Sequence, residues 1–337
     1  MSSWRIPSLD GLRAFSIATV LLSHFSYSWH FPPWYANTGV RAFFVISGFL
    51  ITTLLIRERE KTGTICLKEF YLRRAYRIFP AAYVYMIVVS VWFYASLSPK
   101  DMVVAFTYLS SYFRQPGVFS HLWSLSVEEQ FYLIWPAVMA ISTASARRVA
   151  LCVVVIDPVL RLILAGTRMG QGVNVYFPLL ADSIATGCLL ALFQPEIQKY
   201  RCFFTARWFG VIWALTFAIP LVPYLPHSAR LYQCVGLPLL HIGIALCIQN
   251  AMLVRYRILN ASVPVWIGVV SYSLYLWHVP FAEVPRHVWY TTFPTNISLA
   301  FVVAALSYYA VERPVLRFRD RRRQLKSLQS SSSDNTC

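Results

Sequence analysis

Ten separate apolar segments run through this 337-residue chain, and each is long enough to cross the hydrocarbon core of a bilayer. A helix needs about 20 mostly apolar residues to span a core of roughly 30 Å. Hydrophobic residues make up 57% of the chain and charged residues only 13%, about half the charged fraction of an average soluble domain. We therefore predict an all-α, polytopic integral membrane protein with about ten transmembrane helices. The predicted spans are 11–29, 39–56, 78–97, 123–142, 149–166, 175–193, 208–225, 231–252, 263–281 and 295–311.

The basic residues indicate how the chain is oriented. The net charge is +16, but the Lys and Arg residues fall between the apolar segments and do not form the single basic face of a nucleic-acid-binding surface. With the N-terminus in the cytoplasm, 22 of the 30 Lys and Arg residues lie in segments on the cytoplasmic side, as the positive-inside rule requires. We therefore expect both termini in the cytoplasm, with membrane lipids and no nucleic acid among the partners.

The chain is predicted to form one membrane domain over residues 1–328, followed by a serine-rich, disordered cytoplasmic tail at 329–337. The apolar stretch 101–113 is too short to cross, and we expect it at the outer interface or as a re-entrant piece. The seven cysteines show neither a disulfide framework nor the Cys–His spacing of a metal site. We expect no metal.

Ionisable side chains inside an apolar span are costly, so each one is a candidate functional residue. Arg13 and His24 both lie in the first segment, SLDGLRAFSIATVLLSHF. Eleven residues are close to three helical turns, so the two side chains share one helix face about 16 Å apart. The imidazole of His24 can exchange a proton near neutral pH, whereas Arg13 can bind an anion or reach lipid headgroups. From position alone, a packing histidine satisfied by a neighbouring carbonyl explains His24 equally well.

Two arginines mark the inner end of the third segment, in FYLRRAYRIFP. Arg74 and Arg77 are three residues apart and share a face of what we predict to be the first turns of a helix starting at the cytoplasmic side. Guanidinium groups and the positive end of a helix both bind phosphate well. An ordinary positive-inside anchor explains the pair equally well.

Two adjacent carboxylates, Glu128 and Glu129, lie at the outer start of the fourth segment, in HLWSLSVEEQFYLIWP. Adjacent residues point about 100° apart on a helix. We therefore expect one carboxylate to face a central cavity and the other to meet water or lipid headgroups.

Other ionisable residues in the spans are interpreted as structural. Asp157 and Arg161 have the i, i+4 spacing at which opposite charges neutralise each other on a helix. His241 is predicted to be a hydrogen-bonded packing residue. Glu312 is expected to form a local ion pair with Arg313 where the last span leaves the membrane.

These motifs together resemble the membrane-bound acyltransferase-3 family, the bacterial O-acyltransferases that modify surface polysaccharides and some small molecules. The resemblance covers nearly the whole chain, through six motifs in the family's order. They are LDGLRAFSIATVLLSH, FFVISGFLIT, FYLRRAYRIFP, WSLSVEEQFYLIWP, SYSLYLWHVP and VERP. The resemblance implies a multi-pass enzyme of the bacterial inner membrane. Such an enzyme moves an acyl group, expected to be acetyl, from cytoplasmic acyl-CoA to a hydroxyl of a saccharide or lipid-linked glycan on the outer side.

The family's functional residues carry over onto five positions of this chain. The resemblance implies that His24 and Glu128 are catalytic and that Arg13, Arg74 and Arg77 bind acyl-CoA. Glu128 would orient the imidazole or the acceptor hydroxyl. His24 would act either as a general base or as the carrier of the acyl group, and both routes stay open.

Two motifs leave a role undecided. Family members often have an arginine two residues before the aspartate of the sixth span, whereas Leu180 stands two residues before Asp182 here. In SYSLYLWH, the side chains of Ser273, Tyr275 and His278 either line an outer vestibule or pack in an aromatic belt.

A transporter or a flippase of a lipid-linked sugar is the alternative from another class, because intramembrane charges also mark transport paths. Transporters often contain internal repeats, and neither the arginine motif nor the glutamate motif recurs in the second half of the chain. A purely structural membrane scaffold is a third interpretation, and it gives no reason for Arg13 and His24 to share a face.

Overall fold

The computed structural model describes residues 6–25, 34–113, 115–164, 167, 176–225, 228–282 and 288–322. Across these ranges the secondary structure is helical without β-strands, which confirms the all-α class. The predicted tail at 329–337 lies outside them. The main helices are α1 (Pro7–Phe25), α2 (Trp34–Thr62), α3 (Leu67–Trp92), α4 (Pro99–Phe106), α5 (Leu122–Ile141), α6 (Thr143–Leu164), α7 (Ala181–Leu192), α8 (Gln194–Thr205), α9 (Phe209–Pro223), α10 (Ala229–Val254), α11 (Ser262–Trp277) and α12 (Thr295–Arg322).

Helix length and composition bear out part of the predicted set of spans. Four helices, α2, α3, α10 and α12, are long and apolar enough to cross a membrane, and α8 with α9 adds a fifth candidate as a pair bent by 98°. Every predicted span overlaps a helix, but the count of ten is not confirmed. The remaining helices are short or charged: α7 has 12 residues, about 18 Å, and α6 carries four charged side chains.

The stretch 101–113 forms no crossing helix, as predicted. Its helical part belongs to α4, which has eight residues and is about 12 Å long. A capping box starts α4: the Ser98 hydroxyl accepts a hydrogen bond from the Asp101 backbone N–H, and the Asp101 carboxylate accepts one from the Ser98 backbone N–H. The chain then turns at Tyr108, whose φ is +56°.

Helices α2 and α7 approach each other through glycines. Gly48 on α2 faces the carbonyl oxygen of Ile184, and Gly187 on α7 faces the carbonyl oxygen of Val45. A methyl group at either glycine would overlap the facing carbonyl, so the two backbones can come this close only without side chains. Gly268 on α11 faces the backbone of α1 in the same way. Small residues at crossings are the usual means by which membrane helices pack closely.

One added methyl group at Gly187 is expected to destabilise the protein. Gly187→Ala places a Cβ against the Val45 carbonyl oxygen, and overpacking of this kind costs about 1–3 kcal/mol of unfolding free energy. Gly210→Ala is the matched control, because Gly210 is also helical and no neighbouring atom lies within 4 Å of its Cβ position. Thermal unfolding in one detergent compares the variants. Equal midpoints would contradict the close packing of α2 and α7.

Candidate functional site

Three histidines from distant parts of the chain meet in the folded protein. His24 lies in the last turn of α1, His121 directly before α5 and His278 directly after α11. The Nε2 atom of His278 is 3.1 Å from Nδ1 of His24, and the His278 ring centroid is 5.0 Å from that of His24 and 5.5 Å from that of His121. His121 and His278 are buried, whereas His24 is half-buried. We call these three residues the histidine cluster.

Contacts from three helices hold the histidine cluster in place. Nδ1 of His278 donates to the backbone carbonyl of Tyr275 at 2.7 Å. The hydroxyl of Tyr275 donates to the backbone carbonyl of His121 at 3.0 Å and lies 2.6 Å from the hydroxyl oxygen of Ser124. The ring of Tyr85, on α3, packs edge-on against His121 with centroids 5.4 Å apart. Helices α3, α5 and α11 therefore position the ring that contacts His24.

The three arginines predicted to bind the donor also come together, around Glu128. Arg13, Arg74 and Arg77 all lie within electrostatic range of the Glu128 carboxylate. This carboxylate accepts a hydrogen bond of 2.8 Å from the hydroxyl of Ser47, on α2. We call Arg13, Arg74, Arg77 and Glu128 the arginine cluster. The structure thus brings together α1, α2, α3 and α5 at a group of guanidinium side chains suited to an anionic ligand.

Neighbouring aromatic and acidic side chains orient the arginines. The guanidinium of Arg74 lies over the ring of Tyr132, 5.1 Å from its centroid, and the Tyr132 hydroxyl is 3.0 Å from that of Ser47. A cation over an aromatic face is attracted by the ring quadrupole. Glu129 lies within electrostatic range of Arg74, and Glu312 within range of Arg13 and Arg77. The arginines are therefore held in a partly neutralised environment.

The two clusters lie at different levels along shared helices. On α1, Arg13 and His24 are three turns apart, about 16 Å. Glu128 follows His121 by seven residues of α5, about 10 Å. The described contacts join Glu128 to the arginines and His24 to His278. The catalytic assignment of Glu128 is not tested by these contacts and stays a prediction.

Helix α3 begins at Leu67, so Arg74 and Arg77 do not lie in its first turn. Arg74 is seven residues, about 10 Å, from the helix start, beyond the first turn in which the helix dipole acts. The expectation that a positive helix end assists these arginines is therefore wrong. The physical reason is that the polar stretch before the apolar segment contains good helix formers and neither Gly nor Pro.

Glu129, which was expected to meet water or lipid headgroups, is half-buried in the protein. Its Oε1 atom is buried, and the carboxylate lies within electrostatic range of Tyr108 as well as Arg74. Helix α5 packs against both α2 and α3. Two carboxylates 100° apart can therefore both face protein.

Glu312 is buried, and its partner is not the adjacent Arg313. Its carboxylate accepts a hydrogen bond from the hydroxyl of Ser273, on α11. The guanidinium of Arg313 instead lies over the ring of Tyr309, 5.4 Å from its centroid. The predicted ion pair is wrong, because adjacent residues on a helix diverge and α11 supplies a hydroxyl on the Glu312 side.

The SYSLYLWH residues separate between the two clusters. Tyr275 and His278 belong to the surroundings of His24. Ser273 instead contacts Glu312, which lies within electrostatic range of two cluster arginines. Ser273 and Tyr275 are two residues apart on α11, so they point to opposite sides of the helix.

A separate set of buried charges joins α2, α6, α7 and α10; we call it the buried charge network. Asp182 forms an ion pair with Arg161, its Oδ2 atom lies 3.2 Å from Nδ1 of His241, and Nη1 of Arg41 lies 3.1 Å from Nε2 of His241. Asp157 accepts a hydrogen bond of 2.8 Å from the backbone N–H of Asp182. Asp157 and Arg161 lie within electrostatic range of each other, but the close partner of Arg161 is Asp182, which α7 brings to it. The prediction that His241 is a buried, hydrogen-bonded packing residue is confirmed.

Sequence reasoning missed His121, Ser47 and Arg41. His121 opens the motif that contains the two glutamates, and Arg41 lies inside the second apolar segment. The ionisable side chains of His121 and Arg41 could have identified both residues from the sequence. The hydroxyl of Ser47 could not have identified that residue, because serine is common in membrane helices and carries no charge.

Among the described residues, neither a metal-binding group nor the groove between α9 and α10 adds a second site. Within the described ranges, no group of three or more His, Cys, Asp or Glu side chains is arranged to hold a metal ion. A groove of about 460 Å³ between α9 and α10 is lined by apolar side chains and Thr216, and it contains no residue of either cluster.

The fold and the site together define a helical protein with membrane-length apolar helices and two partly buried polar clusters. A family model described as an acyltransferase domain matches residues 6–311. The chain therefore belongs to the acyltransferase-3 family, as the resemblance implied.

Three similar proteins are peptidoglycan O-acetyltransferase OatA of Listeria monocytogenes (29% identical), putative peptidoglycan O-acetyltransferase YrhL of Bacillus subtilis (27%) and O-acetyltransferase OatA of Staphylococcus aureus (30%). Each alignment covers 92% of this chain but only 56%, 55% and 57% of the respective relative. The chain thus spans little more than half the length of these relatives. No solved structure matches it.

Proposed function

We propose that this chain is a membrane O-acetyltransferase that uses acetyl-CoA from the cytoplasm and acetylates a saccharide hydroxyl on the outer side. The arrangement of the two clusters along α1 carries the proposal, with guanidinium groups at one level and an imidazole three turns away. Two relatives named as peptidoglycan O-acetyltransferases make peptidoglycan, or a lipid-linked precursor of it, the first candidate acceptor. The family match gives no support to a transporter or flippase.

The arginine cluster is the proposed site for the phosphates of the donor. Arg13, Arg74 and Arg77 present planar N–H forks that match phosphate oxygens. The pantetheine arm of coenzyme A would then extend along α1 toward His24, a distance of about 16 Å. The acyl thioester would thus reach the histidine cluster while the phosphates stay with the arginines.

The proposed reaction replaces a C–S bond with a C–O bond. In the general-base route, His24 takes the proton of the acceptor hydroxyl while its oxygen attacks the thioester carbonyl carbon. The C–S bond breaks, and the coenzyme A thiolate takes the proton back from His24, leaving an acetyl ester and a thiol. In the covalent route, Nε2 of His24 attacks the thioester carbon and the C–S bond breaks, giving an acetyl-imidazolium and the thiolate. The acceptor hydroxyl oxygen then attacks the acetyl carbon, the C–N bond breaks, and the hydroxyl proton passes to the thiolate.

The test is transfer of labelled acetyl groups by the purified full chain in lipid nanodiscs. Labelled acetyl-CoA is offered with soluble peptidoglycan strands and, in a second arm, with an O-antigen polysaccharide. We expect label on peptidoglycan, and at least about 100-fold slower labelling with His24→Gln. Transfer only to the O-antigen polysaccharide would show that peptidoglycan is not the acceptor. A protein that binds acetyl-CoA but acetylates no glycan would overturn the saccharide assignment.

We infer that the protein lies in a bacterial inner membrane with both termini cytoplasmic, because the basic residues are concentrated on that side. A cysteine introduced by Arg322→Cys in intact cells is expected to react with a membrane-impermeant thiol reagent only after the cells are permeabilised. Labelling of intact cells at residue 322 would reverse the orientation.

Arg74→Ala and Arg77→Ala are expected to raise the donor KM about 10- to 100-fold, since each removes a charged hydrogen bond worth about 1.5–3 kcal/mol. Arg73→Ala is the matched control: Arg73 is paired with Glu58 at 2.5 Å and lies outside the cluster. Initial rates measured against acetyl-CoA concentration compare the three variants. If Arg74→Ala and Arg77→Ala use the donor as well as Arg73→Ala does, the pair is only a topology anchor.

A further inference from the structure

We propose that His278 is a positioning residue that holds His24 in the tautomer whose Nε2 atom accepts the proton. This inference rests on the proposed function, in which His24 is the base. It is carried by a continuous series of hydrogen bonds from the Tyr275 carbonyl through His278 to His24.

The contact with Tyr275 determines which nitrogen of His278 carries a hydrogen. A carbonyl oxygen can only accept, so Nδ1 of His278, 2.7 Å away, must be the donor. In a neutral imidazole the other nitrogen then has a lone pair and accepts. Nε2 of His278 is therefore an acceptor as long as the ring is neutral.

Burial keeps the His278 ring neutral. Its side chain has no exposed surface, and the rings described around it belong to His24, Phe25, His121 and Tyr275. The ionisable side chains that act most strongly on His278 are those of His24 and His121, and neither is a carboxylate that would compensate a positive charge. A buried imidazolium without a counter-charge is strongly disfavoured.

The tautomer of His24 follows from that of His278. Because Nε2 of His278 accepts, Nδ1 of His24 is the donor across the 3.1 Å contact. The lone pair of neutral His24 is then on Nε2, where it can take a proton from an acceptor hydroxyl or attack a thioester. In water, histidine prefers the opposite tautomer, with the hydrogen on Nε2. The hydrogen bond to His278 therefore selects the reactive form, as a carboxylate does in a catalytic triad.

The same contact also assists the step itself. When His24 takes the proton, its ring becomes positive and its Nδ1–H becomes a charged donor to His278. Charge-assisted hydrogen bonds are roughly twice as strong as neutral ones. The contact therefore stabilises the charge that develops during transfer more than it stabilises the resting enzyme.

Two variants of His278 that differ by one methylene group test the proposal kinetically. In His278→Gln, the side-chain carbonyl oxygen can occupy the position of Nε2 and accept from His24. In His278→Asn, the shorter amide can still reach the Tyr275 carbonyl but not His24. We expect His278→Asn to lower kcat about 10- to 100-fold at an unchanged donor KM, as loss of an orienting partner does elsewhere. His278→Gln is expected to recover most of that loss.

Nitrogen-15 NMR of protein labelled at its histidine rings reads the tautomer without any substrate. The His24 signals are assigned by their loss in His24→Gln. We expect the hydrogen on Nδ1 of His24 in the wild type and in His278→Gln, and on Nε2 in His278→Asn. A wild-type His24 with its hydrogen on Nε2, or a wild-type kcat in His278→Asn, would overturn the proposal. An Nδ1–H tautomer in a wild-type protein that acetylates nothing would support the positioning contact and count against the proposed function alone.

Discussion

Acetyl transfer by His24→Gln is expected to be about 10²–10⁴-fold slower than by the wild-type protein, with donor affinity nearly unchanged. Glutamine keeps a hydrogen-bonding side chain at the end of α1 but cannot exchange a proton, so the loss isolates the proton transfer. The loss will be larger if the imidazole also carries the acetyl group. Donor binding survives because the arginine cluster lies about 16 Å away along the helix. Transfer is measured with labelled acetyl-CoA, and binding by calorimetry on the same preparations.

Arg13→Ala is the matched variant on the same helix, and it is expected to show the reverse pattern. The affinity of Arg13→Ala for the donor falls, because a guanidinium of the arginine cluster is gone. At saturating donor concentration the variant keeps part of the wild-type turnover. A well-folded His24→Gln protein with near-wild-type turnover would make His24 a packing residue.

Asp182→Asn is expected to lower the free energy of unfolding by about 3–5 kcal/mol, the largest stability effect that we anticipate. Asp182 is only 1% exposed and pairs with Arg161, which has no exposed surface. Neutralising the carboxylate leaves the buried guanidinium of Arg161 without its counter-charge and removes the negative charge beside His241. The expected consequence is separation of α6 and α10 from α7. Unfolding in SDS, followed by tryptophan fluorescence, measures the loss.

Glu196→Gln is the matched control, since it makes the same chemical change in an exposed ion pair. Glu196 accepts from Arg147 at 2.9 Å, and the two side chains are 44% and 33% exposed. Pairs of this kind contribute about 0–1 kcal/mol, because water and salt screen the charges. If both variants lose the same stability, the buried charge network does not hold the four helices together.

The all-helical class, the members of the arginine cluster and His24 of the histidine cluster can be predicted from the sequence, whereas His121 was missed. Runs of apolar residues exclude strands with exposed edges in a membrane, and a charge inside such a run is costly wherever it packs. His24, Arg13, Arg74, Arg77 and Glu128 are conspicuous for that reason alone. The family motifs add their expected roles, and the match over residues 6–311 confirms the family.

Two of the predictions that the structure corrects concern partners within a few residues along the chain. Asp157 with Arg161 and Glu312 with Arg313 are plausible local pairs, yet each carboxylate finds its partner on another helix. Glu129 was expected outside because one helix face is expected to be buried, whereas α2 and α3 cover two faces of α5. The start of α3 also differs from the prediction, because good helix formers extend this helix to Leu67, before its apolar segment begins.

Composition and the length of the apolar segments thus determine that the chain is helical, where its helices lie and which of their side chains are too polar for lipid. These properties depend on the free energy of placing each residue in the membrane, whatever its partners. Only the tertiary structure decides how those side chains combine. His278 is 254 residues from His24, and their contact depends on how α11 packs against α1. That packing requires glycine where the two backbones meet, and the favoured tautomer of His24 follows from it. The order of residues along the chain does not indicate this contact, because the energy of a contact between side chains depends on their distance in space.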